Sequence, residues 1–151
     1  MPTNVPLHSF FFTGDIQITG TCDGTYDNDK NEITTPNYPR SYPHSKECNW
    51  NIEVPQGRNI ELEFNDFRLE SESRCNYDYL QVFDGRSSSS RAINGKLCGH
   101  SKPSKIMSSG NALFLYWKSD SATSDQGFEI SATLTGKYIL KYIYRAYKSF
   151  K

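Results

Sequence analysis

Cys48-Asn-Trp-Asn-Ile-Glu-Val-Pro-Gln-Gly-Arg-Asn-Ile-Glu-Leu-Glu-Phe64 decides the class of the fold. Cys48, Trp50, Ile52 and Val54 alternate with Asn49, Asn51 and Glu53. Ile60, Leu62 and Phe64 alternate with Glu61, Glu63 and Asn65. A period of two belongs to a strand with one apolar and one polar face. Pro55-Gln-Gly57 turns the chain between the two runs. The same signature recurs outward. Tyr77 to Phe83 alternates up to the turn Asp84-Gly85; Ile106 and Met107 precede the turn Ser108-Ser-Gly-Asn111. Leu113, Leu115 and Trp117 alternate with Phe114 and Tyr116, and Phe128, Ile130, Ala132 and Leu134 with Glu129, Ser131 and Thr133. Glu32 to Thr35 is a short strand candidate, and Arg86 to Arg91 reads as a serine-rich loop. Thr35 to Pro43 carries three prolines, which exclude helix and central strand, so it reads as an ordered loop packed by Tyr38 and Tyr42. No helical period survives over ten residues before Gly136. The expected class is all-β, an antiparallel β-sandwich of two sheets.

At 151 residues the chain is expected to form one domain, large enough to bury roughly two-thirds of its unfolded surface. Residues 1–21, broken by Pro2, Pro6, Gly14 and Gly20, read as a lead or linker, 22–135 as the domain, and 136–151 as a tail. The formal charge of zero conceals a split: residues 137–151 hold five bases and no acid, leaving 12 bases against 17 acids elsewhere. Such an acidic body is a poor surface for nucleic acid and suits a hard cation or a basic partner. Lys137, Lys141, Arg145 and Lys148 fall at helical spacing. The tail therefore has two readings: a basic amphipathic helix for a membrane surface or partner, or a linker or translation artefact at a truncated end. Four widely spaced cysteines, Cys22, Cys48, Cys75 and Cys98, without a CxxC, fit two disulfides in an oxidising compartment. Arithmetic allows three pairings; the sequential one closes the two shortest loops, each worth about 3 kcal/mol on the loop-entropy account. No secretory signal is visible, because Phe10-Phe11-Phe12 is short and no Lys or Arg precedes it. No apolar run approaches the ~18 residues of a membrane span. An extracellular domain would imply that Met1 is not the start of the functional precursor.

A second stretch, Glu70 to Gly85, sets Glu70 and Asp78 eight residues apart around Cys75. With it, the order of features resembles a known family. Cys22 is followed by Ile33-Thr-Thr-Pro-Asn-Tyr-Pro-Arg-Ser-Tyr-Pro43, Cys48-Asn-Trp50 and Ile60-x-Leu-x-Phe64. Cys75-Asn-Tyr-Asp-Tyr-Leu-Gln-Val-Phe-Asp-Gly85, Leu97-Cys-Gly99, Ser119-Asp120 and Gly127-Phe128 complete the set. Over about Cys22 to Leu134 the chain resembles the CUB domain, an extracellular module of complement-initiating and tolloid-type proteases, cubilin-like receptors and spermadhesins.

The resemblance implies a CUB-like jelly roll with Cys22–Cys48 and Cys75–Cys98 paired, no catalysis, and binding of protein partners. It also implies a calcium site at one end of the sandwich. The family pattern matches Glu70, Asp78 and Asp120 as acidic ligands and Tyr42 as the hydroxyl that supports them. Thr123 stands where some family members have an Asn ligand, which implies a weaker ligand or its replacement by a backbone carbonyl or water. Trp117 replaces a commoner Phe. In the family a partner's lysine docks against the calcium-bound carboxylates.

The residues alone point the same way less sharply. Three carboxylates at one rim repel one another unless a cation intervenes, and calcium takes about six to eight oxygens. His8, His44 and His100 are scattered and the cysteines are occupied, which argues against zinc. The bland alternative is three separate solvated acids. No HExxH, GxSxG or N-x-S/T sequon is present, so no enzyme is expected. Three readings remain: a calcium-dependent protein-interaction module of a larger secreted or membrane-tethered protein; the exosite module of a tolloid-type metalloprotease whose catalytic domain lies outside the chain; and a stand-alone spermadhesin-like glycan binder, against which the acidic trio counts.

Overall fold

The computed structural model describes residues 15–136 and 147–149. Ten strands follow in order: β1 (Gln17–Gly20), β2 (Tyr26–Asp27), β3 (Glu32–Thr34), β4 (Glu47–Glu53), β5 (Asn59–Arg68), β6 (Tyr79–Phe83), β7 (Ala92–Leu97), β8 (Ile106–Met107), β9 (Ala112–Lys118) and β10 (Gly127–Thr135). They form two five-stranded sheets, β1-β4-β9-β6-β7 and β2-β3-β10-β5-β8. Every pairing is antiparallel. The sandwich expected from the alternating runs is the one observed.

Alternation delivers the core. Trp50, Ile52, Leu80, Val82, Leu113, Leu115 and Trp117 from the first sheet meet Ile60, Leu62, Phe64, Phe67, Phe128 and Ile130 from the second, all buried. Trp50 meets Phe128 edge-on across the layer, with ring centroids 5.9 Å apart. Each fully buried Leu, Ile or Phe contributes about 1.5–3 kcal/mol. The Trp50 indole N–H donates to Thr25 Oγ1 at 2.9 Å, so its burial leaves no orphan there. The disulfides are Cys22–Cys48 and Cys75–Cys98, the sequential pairing.

The structure moves one boundary and adds two features. The sandwich begins before Cys22, whereas residues 1–21 were expected to be a lead. Ile16 and Ile18 are buried and β1 pairs with β4. Asn28 grips Ile18 on the other side, accepting its N–H and donating to its carbonyl at 2.8 and 2.9 Å. Two apolar residues between glycines are too short a signal to read without that pairing. Ala92–Leu97, beyond the serine-rich loop, is the edge strand β7. In β5 a bulge sets Glu129 opposite Asp66 but Ile130 opposite Phe64, so Asn65 is the extra residue. The phase flips there: Phe67 and Leu69 turn inward where Phe64 had done so. The tail expectation falls largely outside the described residues; Tyr147–Ser149 form helix and are exposed. Among the described residues no helix is long and apolar enough to cross a membrane.

Candidate metal centre

At one end of the sandwich three chain segments converge. The flipped phase of β5 carries Leu69 into the core and leaves Glu70, the next residue, half-buried at the rim. Asp78 precedes β6 in the phase of Leu80 and Val82, so its carboxylate points inward and is fully buried. Asp120 follows β9 by two residues. Ser119 anchors it: its Oγ donates to the Pro43 carbonyl at 2.7 Å and accepts the Lys46 N–H at 3.0 Å. The carbonyl of Asp120 accepts the Ser45 N–H at 2.7 Å.

Carboxylate oxygens of Glu70, Asp78 and Asp120 lie within 4.8 Å of one another. Tyr42 ties two of the segments together. Its hydroxyl donates to Asp78 Oδ2 at 2.6 Å and accepts the Glu70 N–H at 3.0 Å. Its ring meets Trp117 edge-on at 5.3 Å, which holds it in place. The second oxygen of Asp78, Oδ1, accepts the Asp120 N–H at 2.7 Å, and Asp120 Oδ1 accepts the Ala122 N–H at 3.3 Å. Glu70 Oε2 is buried with no hydrogen-bond partner. Among the described residues no ion pair reaches the trio.

Electrostatics follow from this crowding. Burial, then the charges of Asp78 and Asp120, push the Glu70 carboxyl above its ordinary range. Burial pushes Asp78 up as well, against the lowering effect of the Tyr42 and Asp120 bonds. Burial and the Asp78 bond raise the Tyr42 phenol, so it stays a donor. A calcium ion fits this donor set on three counts: the oxygens are hard, the trio is uncompensated, and a buried Glu70 oxygen has nothing to bind. No thiolate or imidazole is among them.

The structure thus brings together Glu70, Asp78, Asp120 and Tyr42. Thr123 stands exposed on the neighbouring loop in left-handed backbone, φ 50°, and no hydrogen bond joins it to the trio. Sequence reading missed a clamp beside the site. His100 Nε2 lies 2.7 Å from Asp125 Oδ2, and Arg68 Nε lies 3.6 Å from Asp125 Oδ1. The Asp125 carbonyl accepts the Tyr42 N–H at 3.1 Å. These residues come from three distant segments, so no spacing in the chain could have joined them.

The CUB domain profile matches residues 22–131. The chain belongs to the CUB family. It is similar to cubilin of Rattus norvegicus, at 43% identity over 110 residues, covering 73% of the chain and 3% of that protein. It is similar to tolloid-like protein 1 of Homo sapiens, at 41% identity over 97 residues, covering 64% of the chain and 10% of that protein. The chain spans only a small part of these curated relatives. Among solved structures it resembles the MASP-1 CUB2 domain bound to Ca2+, with a TM-score of 0.63 and 30% identity, covering 74% of the chain and 98% of that domain. It also resembles the full extracellular region of zebrafish Gpr126/Adgrg6, with a TM-score of 0.62 and 34% identity over 70% of the chain and 14% of that region. CUB membership is consistent with an extracellular interaction module, and the two disulfides fit an oxidising compartment.

Proposed function

We propose that this CUB domain is a non-catalytic, calcium-dependent interaction module that takes a basic side chain, most simply a lysine ammonium, from an extracellular protein partner. Glu70, Asp78 and Asp120 would hold the ion, Tyr42 would orient Asp78, and the loop at Thr123 would close the site through a backbone carbonyl or water. The observation that carries the reading is the gathering of three uncompensated carboxylates within 4.8 Å, with Glu70 Oε2 buried and unpartnered. Bound calcium would neutralise the mutual repulsion and tie the loops at Glu70 and Asp120 together. Three carboxylates exceed the charge of one divalent ion by a single negative charge, and that excess is what an ammonium can share. The likeness to the Ca2+-bound MASP-1 domain supports the choice of metal.

Calcium titration by calorimetry tests the site. The wild type is expected to bind and to melt higher in calcium than in chelator, by RT ln(1 + [Ca]/Kd). Asp120→Ala is expected to keep the fold in chelator and to lose both effects. Unchanged calcium binding in that variant would sink the assignment. A lysine probe, Nα-acetyl-lysine methylamide, is expected to shift resonances of the calcium-loaded domain and to do nothing in chelator; shifts in chelator alone would argue against the docking step.

The likeness to tolloid-like protein 1 favours a second reading, in which this module serves as the exosite of a metalloprotease whose catalytic domain lies outside the chain. An HExxH segment in the neighbouring coding sequence is its test.

A further inference from the structure

The outer face of the first sheet carries a second group of charges, opposite in sign to the first, that no ion pair among the described residues engages. Strand alternation that turns Asp78 inward turns Tyr79 outward. Register places Lys118 beside Tyr79 and Glu47 beyond it, and in the next row sets Asn49, Tyr116 and Gln81 side by side. The Lys96 ammonium sits over the Tyr79 ring, 4.3 Å from its centroid, and that of Lys118 lies 5.8 Å from it. Among the described residues neither ammonium is in an ion pair. The Tyr79 and Tyr116 rings lie 6.0 Å apart, tilted by 55°. Burial, followed by a bond to Glu47, raises the Tyr116 phenol to about 12, so the Glu47 carboxylate is engaged with a hydroxyl.

Lys96 reaches this position by a specific device. Leu80 pairs with Leu97 and Val82 with Ile93, so three residues of β7 oppose one of β6. The extra backbone is taken up by Asn94 and Gly95, both left-handed at φ 62° and 68°. An enlarged bulge of this kind re-aims the side chain that follows it. Here that side chain is Lys96, which leans over the sheet rather than out from its edge.

We propose that Lys96, Lys118, Tyr79, Tyr116, Gln81 and Asn49 form a binding face for a sulfated saccharide. Two ammonium groups beside one ring, neither in an ion pair among the described residues, suit a compact anion. The rings offer apolar ground for a sugar, and the amides offer partners for its hydroxyls. Two disulfides place the domain where sulfate esters of glycans are abundant. The face does not use the carboxylate trio, so it stands or falls independently of calcium.

The test uses the full chain and a trisulfated heparin-type disaccharide, with its unsulfated parent as control. Saturable changes are expected in the ring resonances of Tyr79 and Tyr116, equal in calcium and in chelator, with none from the parent sugar. Lys96→Gln with Lys118→Gln is expected to weaken binding about tenfold or more while leaving the melting temperature and calcium response intact. Equal binding by that variant, or shifts confined to residues 137–151, would overturn the proposal. A glutamate-rich peptide that competes as well as the disaccharide would overturn the choice of a sugar.

Discussion

Tyr42→Phe isolates the hydroxyl that joins the two halves of the acidic site. The ring is 2% exposed, and its edge-on contact with Trp117 at 5.3 Å survives the substitution, so no cavity opens. What disappears is one donor to Asp78 at 2.6 Å and one acceptor for the Glu70 N–H at 3.0 Å. A hydrogen bond to a charged group is worth about 1.5–3 kcal/mol, and a buried N–H left without a partner costs about 1–3 kcal/mol. The expected loss is therefore about 2.5–6 kcal/mol, a large share of the ~5–15 kcal/mol of a typical domain. For a domain of this size that lowers the melting temperature by roughly 5–25 °C. Urea unfolding in chelator and in calcium measures it. In calcium the loss should be larger, because the freed Asp78 carboxylate and the unpinned Glu70 segment also weaken ion binding. A loss below about 1 kcal/mol in chelator, with calcium affinity unchanged, would refute the role given to the hydroxyl.

Other perturbations reach neighbouring features. Glu70 and Asp78 both have carboxyls raised in the folded state, so the native chain binds more protons than the unfolded one between the ordinary and the raised values. In chelator their contribution to stability should fall as pH rises through that window, whereas in calcium that fall should disappear, because the ion displaces those protons. Melting curves against pH in the two buffers check both outcomes, and parallel curves would contradict them. Replacing Cys75 and Cys98 together with Ala reopens a loop with a sequence separation of 23 that contains Asp78. About 3 kcal/mol should be lost, with weaker calcium binding by calorimetry. Gly127→Ala is expected to prevent folding by circular dichroism: its φ is +93°, and a Cβ there would overlap the buried Thr35 hydroxyl.

The alternating runs around Trp50, Leu62, Leu115 and Ile130 were enough, by period alone, to call for two sheets and to sort inner from outer residues. That is local physics: a strand's faces are set two residues at a time, and burial then chooses between them. Resemblance added the disulfide pairing, which arithmetic had left at three choices. Glu70 and Asp78 were legible as a spaced pair, and Asp120 as a third member by motif. Resemblance also called for their meeting beside Tyr42, but the residues by themselves did not, because it depends on a bulge at Asn65 that flips the phase of β5 and on a tyrosine hydroxyl reaching from a proline-rich loop. The first strand, the His100–Asp125 clamp and the lift of Lys96 over Tyr79 were invisible for the same reason. Each is a contact between segments whose separation carries no period, so only the packed chain determines it.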